Sequence, residues 1–317
     1  MEAMILAAGE GTRLLPLTRH KPKPLFPVLN LPLLALNLDY LRRRHFNRVI
    51  VNTHHLGRQI GAFLETYAGE NPEMEIEPRP ETEILGTGGG LKNTADFWRE
   101  ESFLVLNGDI VTDIDPGPAL EFHRSHGEPA TLILQDHPKF NNIVLSPEGD
   151  ILKFRVPHGT RAFTGIHLLR RKILDRLPPV GFYDIIPQYQ KLIDEGLPVR
   201  GYVSRNHYWR DMGNPESYRE LHREILSGEF RPPLDFPCRK PDDARNWCID
   251  PGAEIATGVR LEGWGSVGEH CRLGSGCRVR NSILWKGVRV GEGIFIENSI
   301  IADGFLIKEN IINKIIC

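Results

Sequence analysis

Met4-Ile5-Leu6-Ala7-Ala8-Gly9-Glu10-Gly11-Thr12-Arg13-Leu14 is a short apolar run that breaks directly into a loop carrying two glycines. The run predicts a strand. Glycines just after it remove the side chains that would keep backbone N–H groups away from a phosphate. Leu14 stands where the third glycine of a GxGxxG dinucleotide fingerprint belongs, and the GK[ST] of a P-loop is missing, so neither of those motifs applies. A GxG after a strand is, taken alone, equally what a plain turn would give.

Working outward, apolar runs at 3–8, 48–52 and 103–106 alternate with helical patterns at 33–44 and 56–67. That rhythm, kept from Met1 to about Leu226, predicts an α/β sheet with crossover helices. Residues 227–247 bring Gly228, Pro232, Pro233, Pro237 and Pro241 among charges, a composition that continues neither a helix nor a central strand and reads as a linker. From 248 to 317 the texture is periodic. Ile249, Ile255, Leu261, Val267, Leu273 and Val279 recur every six residues, and Asn281-Ser282-Ile283-Leu284 returns as Asn298-Ser299-Ile300-Ile301, offset by 17. A six-residue period means three short strands per coil, each sending one aliphatic inward onto the coil below. The tail resembles the left-handed parallel β-helix of hexapeptide-repeat proteins, and in that frame Cys271 and Cys277 take the small, packed position.

Composition excludes several classes. The 317 residues hold 39 Lys+Arg against 41 Asp+Glu, a net charge of −2, which implies neither a nucleic-acid partner nor a charged membrane surface. No apolar run approaches the roughly 18 residues of a membrane span. The N-terminal layout is wrong for a secretory signal, so a cytoplasmic protein is expected. Five cysteines, an odd number without a CxxC pair, argue against a disulfide framework and against a zinc site.

The opening loop continues Pro16-Leu17-Thr18-Arg19-His20-Lys21-Pro22-Lys23-Pro24-Leu25. With that extension it resembles the sugar-1-phosphate nucleotidylyltransferases, whose signature is AAGxGTRLxPLT followed by PKPL. The resemblance covers nearly the whole chain. It implies a Rossmann-like nucleotidyltransferase domain (1–226) with a mixed central sheet, the Pro-rich linker (227–247) and the β-helix (248–317). It also implies that an NTP and a sugar 1-phosphate combine into an NDP-sugar and pyrophosphate. Displacement at an α-phosphate develops charge on oxygen and calls for fixed cations rather than a covalent nucleophile. Arg13 and Lys23 fall on the family's triphosphate-binding arginine and phosphate-contacting lysine, in a nucleotide site begun by Leu6, Ala7, Ala8, Gly9, Gly11 and Thr12.

Two carboxylates suit Mg²⁺, which takes one or two protein carboxylates and leaves its other positions to phosphates and water. Asp109 follows the apolar run Phe103-Leu104-Val105-Leu106-Asn107-Gly108, and Asp211 lies in Trp209-Arg210-Asp211-Met212-Gly213-Asn214-Pro215-Glu216, similar to the family's WxDxGxPE segment. Asn107 belongs to the implied nucleotide site. So does Glu81-Thr82-Glu83-Ile84-Leu85-Gly86-Thr87-Gly88, which resembles the base-binding segment of the guanylyltransferase branch that acts on mannose 1-phosphate. There Glu81 offers only acceptors, matching guanine's adjacent N–H and NH₂ donors, although backbone groups would serve equally.

Thr164-Gly165 resembles the family's sugar-contacting segment. The chain departs from the family at FxEKP, reading Phe154-Arg155-Val156-Pro157, so Lys153 or Arg155 is the substitute for the missing lysine. A similar gap occurs in uridylyltransferases acting on N-acetylmuramate 1-phosphate, which keeps uridylyl and thymidylyl transfer open. A homo-oligomer is expected through the tail. Two rivals are a non-catalytic nucleotide-sugar sensor, opposed by the presence of Arg13, Lys23, Asp109 and Asp211, and a second, acetyl-transferring site around His270.

Overall fold

The computed structural model describes residues 1–232, 236–239 and 244–317. The chain packs as two compact units, Met1–Glu10 with Asn37–Trp209, and Gly11–Leu36 with Arg210–Cys317.

The first unit is built on a seven-stranded sheet. Its strands are β1 (Glu2–Leu6), β2 (Arg48–Thr53), β3 (Glu75–Pro80), β4 (Ser102–Asn107), β5 (Ala130–Gln135), β6 (Ala162–Arg170) and β7 (Val199–Val203), in spatial order β7-β5-β6-β4-β1-β2-β3. β6 runs antiparallel to both its neighbours and the other pairs are parallel, so the sheet is mixed, as the sequence predicts. Helices α1 (Leu33–Arg42), α2 (Gly57–Glu70), α3 (Gly86–Lys92), α4 (Gly117–Ser125) and α5 (Ile185–Asp194) connect strands, and α6 (Pro215–Ser227) follows in the second unit. Ala3, Met4 and Ile5 on β1 are all fully buried, the mark of a central parallel strand covered on both faces. α1 stops two residues short of the predicted 44 because Arg42 and Arg43 turn back to the Asp39 carboxylate at 2.7 and 2.6 Å and His45 adopts a positive φ.

In the second unit the tail is a stack of short parallel strands. One ladder runs through 247–249, 260–267, 278–284, 295–297 and 311–312, and a second through 254–255, 272–273, 289–290 and 306–307. Partners lie 18 residues apart at first (Ile249 with Val267, Leu273 with Ile255), then 17 (Val279 with Ile296), then 15 (Ile300 with Ile315). Ile249, Val267, Leu273 and Val279 turn into one buried cluster with Val290, Ile296 and Ile301. Cys271 and Cys277 lie in the same cluster, and burial pushes both thiols up to about 11.

The cysteine expectation needs correcting. Cys238 and Cys248 form a disulfide, with Cα atoms 4.9 Å apart. Counting cysteines misses it because a single clip over ten residues leaves no framework pattern in the sequence. Of the expected linker, positions 233–235 and 240–243, including Pro233 and Pro241, lie outside the described residues.

Candidate active site

Three neighbouring parallel strands bring their carboxyl ends into one row, in which Leu6 of β1 lies between Asn52 of β2 and Asn107 of β4. Strand order reverses at β1, and such switch points are where open α/β sheets collect ligands. Asn52 ties the row together. Its Oδ1 accepts from the Ala7 N–H at 2.8 Å and its Nδ2 donates to Glu81 Oε1 at 2.7 Å, while Glu81 Oε2 accepts from the Leu85 N–H at 3.0 Å. The start of the glycine loop and the base segment are therefore anchored to one amide. Sequence reading missed Asn52, although a polar residue ending the run Val49-Ile50-Val51 was a usable signal. Glu81 is buried, which pushes its carboxyl up, and both its oxygens already have protein donors.

Beyond Ala7 and Ala8, both buried, Gly9 is exposed and a side chain there would meet nothing within 4 Å. Its bareness serves no internal packing and leaves the backbone open to a ligand. Gly11 differs, since its φ of 65° and the Thr18 Cγ2 atom 2.8 Å from a would-be Cβ both require glycine. The Thr18 hydroxyl donates to the Gly11 carbonyl, and a 3₁₀ turn over Thr12–Leu14 follows, leaving Thr12 and Arg13 exposed. Lys23 opens another 3₁₀ turn, Lys23–Leu25, and is buried.

Within the second unit Arg13 and Asp211 both approach Gly213. A Cβ on Gly213 would lie 2.7 Å from Asp211 Oδ2 and 2.9 Å from an Arg13 guanidinium nitrogen, so the two signature segments converge on that glycine. Asn214 then caps α6, accepting from the Ser217 N–H at 2.9 Å. Asp109 belongs to the first unit, two residues past the end of β4. Among the described residues no three His, Cys, Asp or Glu side chains gather into a metal cage. Partly exposed carboxylates such as Asp109 and Asp211 offer hard oxygen donors of the kind Mg²⁺ takes alongside phosphates.

The glycine cluster is a helix. α3 is glycine-rich because the chain before α5 lies against it, and a Cβ on Gly88 would come 2.6 Å from the Tyr183 ring. The N–H groups of Gly88 and Gly89 donate to the Tyr183 carbonyl at 2.9 and 3.2 Å, and the Thr87 hydroxyl accepts from the Ile185 N–H at 2.9 Å. Gly86 enters this helix with φ 69°.

At the expected sugar segment the Thr164 hydroxyl donates to the Ile133 carbonyl at 2.6 Å, and the Thr164 carbonyl accepts from Trp209 Nε1 at 2.6 Å. Its side chain is consumed inside the fold, and both Thr164 and Gly165 are buried. Gly165, at a bulge in β6, has φ 83° and lies so close to Asn107 that a Cβ would be 2.8 Å from that amide. Trp209 meets Phe140 and His137 edge-on, an aromatic group that no spacing in the sequence announces. Lys153 is exposed, and Arg155, also exposed with φ 56°, approaches Asp184 at 3.9 Å. His270 pairs with Glu269 on the tail's surface.

A nucleotidyl transferase family model matches residues 2–228, and a model described as the GMPPB C-terminal domain matches residues 244–315. The chain is 31% identical to a mannose-1-phosphate guanylyltransferase of Mycobacterium tuberculosis, over 91% of this chain and 81% of that protein. It is 30% identical to a UTP–glucose-1-phosphate uridylyltransferase of Synechocystis sp., over 90% of this chain and 83% of that one. A solved structure of a putative glucose-1-phosphate thymidylyltransferase from Bacillus anthracis superposes with a TM-score of 0.62 at 23% identity, covering 70% of this chain and 93% of its own.

Proposed function

Because the chain belongs to the nucleotidyl transferase family, we propose that it joins an NTP and a sugar 1-phosphate into an NDP-sugar and pyrophosphate, with GTP and mannose 1-phosphate as the preferred pair. A phosphate oxygen of the sugar attacks the α-phosphorus in line. The new P–O bond forms as the bond from the α-phosphorus to its bridging oxygen breaks, and pyrophosphate leaves with that electron pair. In this reading the N–H groups of residues 9–12 receive phosphate oxygens, and Arg13 and Lys23 oppose the charge that develops on them. Asp109 and Asp211 are the proposed Mg²⁺ ligands, and the cation would neutralise phosphate oxygens and hold them in register.

The observation that carries the reading is the convergence of Arg13 and Asp211, from two segments 198 positions apart in sequence, on Gly213. A guanidinium and a metal-suited carboxylate brought to one glycine are what transfer to a phosphorus needs and what a plain turn would not build. In this reading the buried Glu81 holds Asn52 and Leu85, and backbone groups of Glu83, Ile84, Gly86 and Thr87 read the base. Thr164 and Gly165 contribute through their backbone, and Lys153 or Arg155 meets the sugar phosphate.

The remaining elements of the proposal are the domain division at 1–226, 227–247 and 248–317, a left-handed β-helix in the tail, a homo-oligomer formed through it, and a cytoplasmic site of action without nucleic-acid or membrane partners. The 18-residue register, three sixes per coil, supports the helix, and no helix among the described residues is long and apolar enough to cross a membrane. Sedimentation of the purified chain reports its oligomeric state directly.

The test of function is a panel of five NTPs against several sugar 1-phosphates, read by pyrophosphate release. GTP with mannose 1-phosphate should give the highest kcat/KM. Preference for UTP or dTTP with glucose 1-phosphate or N-acetylmuramate 1-phosphate would move the assignment to the uridylyl or thymidylyl reading, which the Synechocystis relative favours. Binding of nucleotide sugars without turnover of any pair would establish the sensor instead.

A further inference from the structure

Between Arg13 and the start of α1 at Leu33 the chain is held from outside, by residues that follow it by roughly 190 to 300 positions. The Lys21 ammonium pairs with Asp303 Oδ2 at 2.7 Å and sits 5.3 Å above the Trp285 ring. Phe26 meets the same indole edge-on at 4.9 Å. The Trp285 Nε1–H donates to the Tyr218 hydroxyl at 3.0 Å, and that hydroxyl donates to the Pro27 carbonyl at 2.5 Å. Farther on, the Leu29 N–H donates to His222 Nε2 at 3.3 Å, and Asn30 Nδ2 donates to the Val267 carbonyl at 3.1 Å. Arg19 lies near enough to the Cys317 thiol to offset part of the upward push that burial gives it.

Lys23 stands between the two groups of attachments. Two residues before it the chain is fixed to the tail by Lys21, and three residues after it the chain is fixed by Phe26. We infer that the tail is a positioning element for the transfer reaction, with Asp303 and Trp285 setting the place of Lys23 through Lys21 and Phe26. The inference rests on the proposed role of the loop in transfer, and it gives the tail a task distinct from assembly. The Lys21–Asp303 pair is partly exposed, with side-chain accessibilities of 24% and 43%, so it adds little to global stability. What it can do is restrict where the loop sits, and a misplaced charge costs rate far more than it costs folding.

The experiment compares Asp303→Asn, Lys23→Met, Glu262→Gln and the swap Lys21→Asp with Asp303→Lys in the full chain, each measured for kcat, KM and Tm. Asp303→Asn should lower kcat about fivefold to tenfold, leave KM within about twofold and move Tm by only a degree or two. The swap should recover part of kcat. Glu262→Gln breaks a 3.0 Å pair with Arg278 on another strand of the tail and should leave kcat unchanged. If Asp303→Asn keeps the parental kcat while Lys23→Met loses it, the inference is wrong and the loop's role stands. Parental kcat in Lys23→Met would remove the reading on which the inference rests. A fall in Tm with an equal loss of active molecules, counted by active-site titration, would reduce Asp303 to a folding role and overturn the inference as well.

Discussion

Asp109 and Asp211 are the proposed metal ligands, and each can be tested with almost no change of shape. Asn keeps the outline of Asp and removes the charge that holds a divalent cation. Asp109→Asn and Asp211→Asn should each lower kcat by two or more orders of magnitude, with Tm moving by no more than a few degrees. Turnover near the parental value in either variant takes that residue out of the metal site. At this scale the signature segments were readable in sequence because glycines and charges at fixed spacing have few other uses. Asn52, His137 and Phe140 were not, since an amide or a ring announces nothing until the fold has placed a partner beside it. Cys238 and Cys248 failed the same way, for a local disulfide depends on a loop geometry that ten intervening residues do not spell out.

The helices show how the same residue type takes opposite meanings. In α3, Gly89 lies against the Gly181 carbonyl so closely that any Cβ would overlap it, and the Tyr183 carbonyl accepts from two of the helix N–H groups. In α2, Gly61 faces open space. Gly89→Ala should therefore destabilise by about 1–3 kcal/mol through overpacking, while Gly61→Ala should stabilise by up to about 1 kcal/mol through helix propensity. Urea unfolding of both variants decides the matter, and equal signs would refute the packing account. Sequence alone read the Gly86–Gly90 run as a base-wrapping segment and could not see the chain before α5, because its packing partner is roughly 95 residues away. The strands fared better. Runs such as Val49-Ile50-Val51 and Phe103-Leu104-Val105-Leu106 are buried on both faces and leave no alternative to a central strand.

Across the whole molecule three buried histidines bias stability toward neutral pH. Burial holds His123 and His167 down to about 3 and His222 to about 4, against an ordinary value of 6.5. His222 is also fixed as the neutral ring, since Nε2 accepts from Leu29 while Nδ1 faces the Tyr218 carbonyl at 3.0 Å. A depressed folded-state value means the unfolded chain takes the proton first. The contribution is therefore complete above pH 6.5 and is lost as pH falls toward 4, at about 1–2 kcal/mol per histidine by pH 5. Urea titrations from pH 7 to 5 should show unfolding taking up more protons as the pH falls, and one fewer by pH 5 in His167→Gln. A flat profile over that range would contradict the burial of these rings as neutral species. This balance was invisible in composition, where twelve histidines look alike.

The long reach of the loop's anchors has a consequence in time. Chains are made from the N-terminus and domains form as their residues emerge. All seven strands of the first unit's sheet are available once residue 203 has left the ribosome, but Lys21 must wait for Asp303, fourteen residues before the last. A nascent or prematurely ended chain thus holds Pro27, Leu29 and Asn30 through Tyr218, His222 and Val267 while Lys21 still lacks its partner. On the inference drawn above, a product that ends before Asp303 works several-fold slower than the complete chain, because its loop keeps the early anchors and lacks the last one.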